Sequence, residues 1–418
     1  MLRIKWFLIL LASLFLIPGE GSAIPAFAKK YGFNCNMCHT AFAKLNDFGQ
    51  RYRDNGYQIP GQVGGEKNIF ETPPPIALRA MTGVTLYDGP DGTTSGFNIF
   101  GFDLLAAGML HKDVSFLLIY TPRIDEPAGS WQGPENGANP GQMGALEAVN
   151  LVFSNVIQDV LNFRVGKFEP GYHPFSSKRK YQLFTPYEVY AFTAPFQSYN
   201  FDDNQIGMEA SGHFRSGLKY SLGLLNGTGA NPDNNTAKDL YGALSQTFGK
   251  GDGQSAGQRI GLFGYYGWQP AKITNSLIAP TGETAGSDNA AFYRFGVDAS
   301  LNWQTLNLQA LYMLGQDDKK LNALDHTQAF KYSGGLVQLD WAGLANNRLV
   351  ASALYNWVEP PDYNLANKVN TIALLTRYYL CDWSAVNVSL HAEFQHRQTG
   401  ELRKVKENLG ALALDFAF

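Results

Sequence analysis

Cys35-Asn36-Met37-Cys38-His39 is the stretch of this sequence whose residue types and spacing point most directly at chemistry. Two thiols at this spacing can add across the two vinyl groups of one porphyrin, and the imidazole that follows at once can reach the iron from one side. Two other chemistries use paired cysteines. A zinc site wants a second ligand pair nearby, and the next cysteine in this chain is Cys381. A redox dithiol of the thioredoxin type sits in an alternating strand–helix pattern, which is absent here. The motif therefore predicts one covalent haem c on Cys35 and Cys38, with His39 as the proximal iron ligand. Cys381, left over, reads as a buried free thiol in a strand.

The elements around the motif must export it and hold it. Arg3 and Lys5 precede an apolar run from Trp6 to Pro18 and the small residues Gly21-Ser22-Ala23, the pattern of a signal peptide over residues 1–23. That run is too short to span a bilayer as a helix, and no later stretch has 18 consecutive apolar residues. Residues 24–72 read as a small α-helical cytochrome c-like domain and linker. Pro25 opens a helix over 26–31 that stops at Gly32. After the motif, Phe42, Leu45, Phe48 and Tyr52 recur at helical spacing until Asn55-Gly56. So short a helix must pack its stripe on something, either a porphyrin or the rest of the chain. Gly61, Gly64, Gly65 and Pro73-Pro74-Pro75 mark residues 58–75 as a linker.

Residues 73–418 alternate with a period of two. Phe295, Val297, Ala299, Leu301 and Trp303 oppose Arg294, Asp298, Ser300 and Asn302. Leu306, Leu308, Ala310, Tyr312 and Leu314 oppose Thr305, Asn307 and Gln309, and Val386, Val388, Leu390 and Ala392 oppose Asn387, Ser389, His391 and Glu393. The chain ends on an alternating segment that closes with Phe418, and Trp268, Trp303, Trp341 and Trp357 sit at segment ends as interface aromatics do. Long polar links at 122–144, 170–203, 227–237, 269–289, 316–328, 359–368 and 397–406 alternate with short turns near 111–113, 214–217, 303–305, 343–347 and 381–384. A longer Gly-rich turn occupies 249–258. The fold class expected is an all-β transmembrane barrel of about sixteen antiparallel strands, its short turns periplasmic and the cytochrome at that end or inside the lumen. The link at 170–203 is aromatic and carries Lys178-Arg179-Lys180. It either folds into the lumen, meets the haem, or seals the top as an exposed loop.

The sixth iron ligand is open. Between residues 24 and 80 the only other His or Met is Met37, inside the attachment loop. Strand alternation places Met81 on the lumen face with Arg79 and Thr85, close to the motif in sequence. His213 and His391 read as lumen-facing, and His173 lies in the long link, so these three are weaker candidates. A lining or solvated histidine explains each of them as well as ligation does. A methionine ligand would raise the haem potential.

Ile24-Pro25-Ala26-Phe27-Ala28, Gly32, the haem motif, Leu45-Asn46-x-Phe48-Gly49 and Gly56-Tyr57 together resemble the fused outer-membrane monohaem cytochrome-porins. The best-known members of that family are ferrous-iron oxidases. The resemblance is close over residues 24–57, departs at Lys30-Tyr31, and is architectural beyond. It implies a protein of the Gram-negative outer membrane that takes electrons from extracellular Fe(II) and passes them to a periplasmic cytochrome or copper protein. The carboxylates Asp88, Asp91, Asp125 and Glu126, in links expected to face outward, are hard oxygen donors of the kind that hold ferrous iron weakly. Two alternatives stay open: electron export to an external acceptor, and a diffusion porin plugged by its haem domain. A net charge of -3 with 17% charged residues and no basic tract argues against a nucleic-acid partner.

Overall fold

The computed structural model describes Tyr31, Phe33 and residues 35–59, 68–69, 71, 76–122, 145–194, 199–229, 231–249, 257–271, 289–322, 324–325, 327–344, 347–383 and 386–417. Residues 1–23 and most of 24–34 and 58–75 lie outside that set, so the expected signal peptide, the helix over 26–31 apart from Tyr31, and the linker are not described. The first elements are a 3-10 turn at Cys35–Met37, a hairpin of β1 (His39–Ala41) and β2 (Lys44–Leu45), and α1 (Asp47–Asp54).

Sixteen strands follow: β3 (Ile76–Gly89), β4 (Gly92–His111), β5 (Val114–Thr121), β6 (Ala145–Asp159), β7 (Leu161–Phe168), β8 (Gln205–His213), β9 (Leu218–Leu225) and β10 (Asp239–Phe248). The second half comprises β11 (Gln258–Pro270), β12 (Asn289–Trp303), β13 (Leu306–Asp317), β14 (Phe330–Gly343), β15 (Leu349–Glu359), β16 (Val369–Trp383), β17 (Val386–Thr399) and β18 (Val405–Ala417). Each pairs antiparallel with its sequence neighbours, and β18 closes on β3 with Phe416 opposite Ala80.

The sense of the alternation decides the environment. On β12, Phe295, Val297 and Leu301 are 46%, 48% and 46% exposed on the outside, while Arg294 and Asp298 are 2% and 7% exposed on the inside. A soluble sandwich buries its apolar face. This barrel turns that face outward all round, as a lipid bilayer requires. Short turns occupy one end, and the strand ends that flank the long links lie at the other. There the exception is Pro90-Asp91, a two-residue connection between β3 and β4.

Two segments fill the interior. Residues 35–59 lie across the short-turn mouth, and the link from Glu169 to Asn204 folds inward. In that link Tyr172, Phe175, Tyr187, Val189, Tyr190, Tyr199 and Phe201 pack with the wall residues Tyr241, Phe263, Tyr265, Phe292 and Tyr332 into the main core. Leu183 and Phe184 reach the far wall at β18. The sealing-loop alternative is thereby ruled out: aromatic density this high finds its burial only inside.

The N-terminal segment departs from the expected helix. Residues 39–45 form the hairpin, and α1 starts only after Asn46, whose extended backbone and side-chain bond to Gly49 N at 2.8 Å cap it. Phe42 thus leaves the helical stripe and packs with Tyr181 and Tyr379. Tyr52, with Tyr57 and Phe48, packs on Ala107 of β4 and Leu117 of β5. The described residues form no separate helical domain; they stopper the barrel.

Candidate functional site: a Cys-Cys-His turn inside the barrel mouth

The two motif cysteines sit at either end of one turn, closed by Cys38 N donating to Cys35 O at 3.2 Å. Neither forms a disulfide. Asn46 locks the turn from below: its backbone N–H donates to Cys38 O at 3.0 Å and its side-chain amide to Met37 O at 3.0 Å. Gly49 is required by this contact, since a Cβ there would stand 2.0 Å from Cys38 O. Burial pushes the Cys38 thiol up to about 11. Among the described residues, no three His, Cys, Asp or Glu side chains converge on a point that could hold a metal ion.

His39 Nδ1 lies 3.1 Å from Ala43 O. A carbonyl partner requires the proton on Nδ1 and puts the lone pair on Nε2, the tautomer in which an imidazole ligates iron. The donor set therefore fits a haem held by two thioethers and one imidazole.

The turn is lashed to the wall on both sides. Toward β13–β16, Lys44 Nζ meets Asp340 at 2.5 Å and Asn307 at 2.7 Å, Asn347 donates to Thr40 O at 2.9 Å, and Arg377 and Tyr379 both donate to Phe42 O. Toward β6–β9, Asp54 accepts from Lys219 at 2.5 Å and lies 3.1 Å from His213 Nε2. Ser154 and Asn162 donate to the carbonyls of Asn55 and Asp54. Gly56, at φ +64°, ends α1 where a Cβ would meet Ser154 Oγ at 2.2 Å. Although burial opposes it, Arg53 and Lys219 hold the Asp54 carboxyl well below the usual range.

The four candidate sixth ligands fare differently. His213 is committed to Asp54, and His173 Nε2 to Phe201 O at 2.7 Å. His391 is wedged between Arg377 Nε at 3.3 Å and Glu393 at 2.9 Å. Met81 is on the lumen face as expected, opposite Asp415 in register and seated over Gly101. It is near the motif's surroundings: Arg79, two residues away, lies over the Phe42 ring at 5.3 Å, and that ring is 5.2 Å from His39.

The inward link forms the second barrier. Starting between β7 and β8, it crosses to the opposite wall, where Glu393 accepts from the backbone N–H groups of Leu183 and Thr185, each at 2.8 Å. Tyr187 reaches Gln338 at 3.0 Å, and Glu188 is held by Thr371 and Arg397. Between stopper and link remains a cavity of about 260 Å³ with Lys44, Arg53, Glu169, Arg179, Lys219 and Arg259 among its lining.

Comparison with known proteins fits this geometry. The barrel resembles OmpF of Salmonella typhi, solved with daunomycin, at a TM-score of 0.58 and 11% identity, covering 82% of this chain and 97% of that one. It resembles an anion-selective porin from Comamonas acidovorans at 0.56 and 12%, covering 82% and 99%. OprB of Pseudomonas putida, in its high-pH structure, follows at 0.56 and 14%, covering 82% and 94%. The fold is that of a porin barrel. At these identities the likeness concerns the fold alone. No protein-family model matches the sequence, and no curated protein does.

Sequence reasoning did not find Arg377, Glu393 or Asp54 as organising residues. Each is a charged side chain at a lumen-facing or stopper position. Alternation marks Arg377 and Glu393 as inward, but the partners that all three meet are far away in sequence.

Proposed function

We propose that this chain is an outer-membrane cytochrome-porin of a Gram-negative bacterium. One haem c is held by Cys35, Cys38 and His39, and electrons pass from extracellular ferrous iron to a periplasmic cytochrome or copper protein. The observation that carries the reading is the location of the Cys-Cys-His turn: it stands within the mouth of a barrel whose lumen is also crossed by the inward link. A wall with an apolar band about 25 Å tall is an insulator, and a redox group within its bore shortens the path for an electron.

When bound, the haem supplies a one-electron iron couple. The chain's own residues do the rest. Asn46 and Gly49 fix the turn that carries the thiols, and the Ala43 carbonyl sets the His39 tautomer. The inward link packs its aromatic side chains on the wall and narrows the lumen beside the turn. Porin likeness favours a second reading, a diffusion channel with a fixed stopper, and the polar cavity beside the stopper is its support.

The test is optical. Oxidised protein in detergent is mixed anaerobically with ferrous iron while the c-type haem bands are followed. Prompt reduction is expected. Full reduction by dithionite but none by iron would overturn iron as donor and favour electron export. Absence of covalent haem in protein matured with the haem-attachment machinery, together with ion conductance through reconstituted barrels, would leave the diffusion reading standing.

A further inference from the structure

Arg377 lies on β16, fully buried, and spends its guanidinium on two separate segments at once. Nη1 donates to Phe42 O of the stopper at 3.2 Å and to Asp415 at 2.9 Å; Nη2 donates to Tyr181 O of the inward link at 3.2 Å. Nε faces His391 Nδ1 at 3.3 Å, and His391 in turn meets Glu393, whose carboxylate holds the link backbone at 183–185. Asp415 is shared with Arg79 through bonds of 3.0 and 2.8 Å, and Arg79 covers the Phe42 ring. One network thus runs from the residue packed on His39, through the wall, to the middle of the link.

Stability alone does not account for such a group. Buried ion pairs commonly do no better than apolar residues of the same volume, and what they add is direction. Tyr181 and Phe42 already share an apolar cluster with Leu375 and Tyr379, which any aliphatic side chain at position 377 would extend. The guanidinium adds fixed angles to two carbonyls 139 residues apart in sequence.

We propose that Arg377 is a positioning residue that orients the Cys35–His39 turn and couples it to the inward link, so that the two move as one body. The orientation of His39 rests on the haem reading; the coupling does not. A rearrangement of the link on the outer side is then transmitted to the iron ligand, and the guanidinium's positive charge beside Phe42 favours the reduced iron.

The experiment compares full-length wild type, Arg377→Gln and Arg377→Lys in detergent, by hydrogen–deuterium exchange and by haem midpoint potential. In Arg377→Gln, exchange should rise about tenfold in both 40–45 and 181–185, the loss expected of a charge-assisted hydrogen bond, with 226–229 unchanged. Its midpoint potential should fall, and Arg377→Lys should restore much of the potential. Tyr379→Phe, which deletes one bond to Phe42 O, should then loosen 181–185 as well as 40–45; this variant decides the question if Arg377→Gln does not assemble. Exchange that rises in one segment without the other overturns the coupling. An unchanged potential in Arg377→Gln overturns the positioning of His39. Coupled exchange in a protein lacking covalent haem would sink the haem reading and leave the coupling intact.

Discussion

Replacing Asp54 by asparagine should loosen the stopper without harming the barrel. Asp54 is the last residue of α1, where the helix dipole disfavours a carboxylate, so the helix by itself would prefer the amide. What keeps the charge is the wall. Its carboxylate accepts from Lys219 at 2.5 Å and Arg53 at 2.8 Å, and lies 3.1 Å from His213. Its side chain is 7% exposed, against 28% for Lys219 and 19% for Arg53. Exposed pairs contribute about 0.2–1 kcal/mol, whereas removing one member of a buried pair costs about 3–5 kcal/mol. The partly exposed cations put Asp54→Asn between those limits, at about 2 kcal/mol, or roughly thirtyfold in the opening equilibrium. Hydrogen exchange at the amides of Gln50 and Asn55, which close α1 through Asn46 O and Arg51 O, reads that opening directly. Slower exchange, or a change under threefold, would show that helix propensity outweighs the wall contacts and would refute the seating argument.

Glu169 gives a pH dependence. Burial raises its carboxyl, but Arg179, His173 and Arg53 win and lower it from 4.5 to about 2. A depressed value means that the stabilisation is complete above pH 4.5 and fades as pH falls toward 2. Pepsin should therefore cut the stopper and link progressively over that interval, and uniform resistance down to pH 2 would contradict the assignment. Asn46→Ala removes the helix cap and the tie to Met37 O together, and should cost α1 at least about 1 kcal/mol, seen as faster exchange of the Gly49 amide. Met81→Ala should shift the reduced haem spectrum if the thioether ligates iron; an identical spectrum removes Met81 from consideration.

Much of the fold was legible because a membrane barrel writes itself locally. Alternation on β12, β13 and β17 depends only on the two-residue period of a strand, and link lengths follow from the count of polar residues between strands. The Cys-Cys-His spacing is equally local. Residues 39–45 were less legible, because Phe42 and Leu45 fall at helical spacing by coincidence while Asn46 prefers to cap rather than continue.

The sequence alone determined that residues 73–418 alternate as a barrel does, that its second long link is too aromatic to be ordinary, and that Cys35, Cys38 and His39 share one short motif. Only the tertiary structure decided where these parts meet. A strand pattern says which side chains point inward, but not which of them face one another across the bore. Arg377 reaching Phe42 and Tyr181, Glu393 receiving the 183–185 backbone, and Asp54 seated on Lys219 and His213 join segments more than a hundred residues apart. Those pairings arise from closure of the β18–β3 seam and from the volume the barrel must fill, and neither is a property of any local stretch of chain.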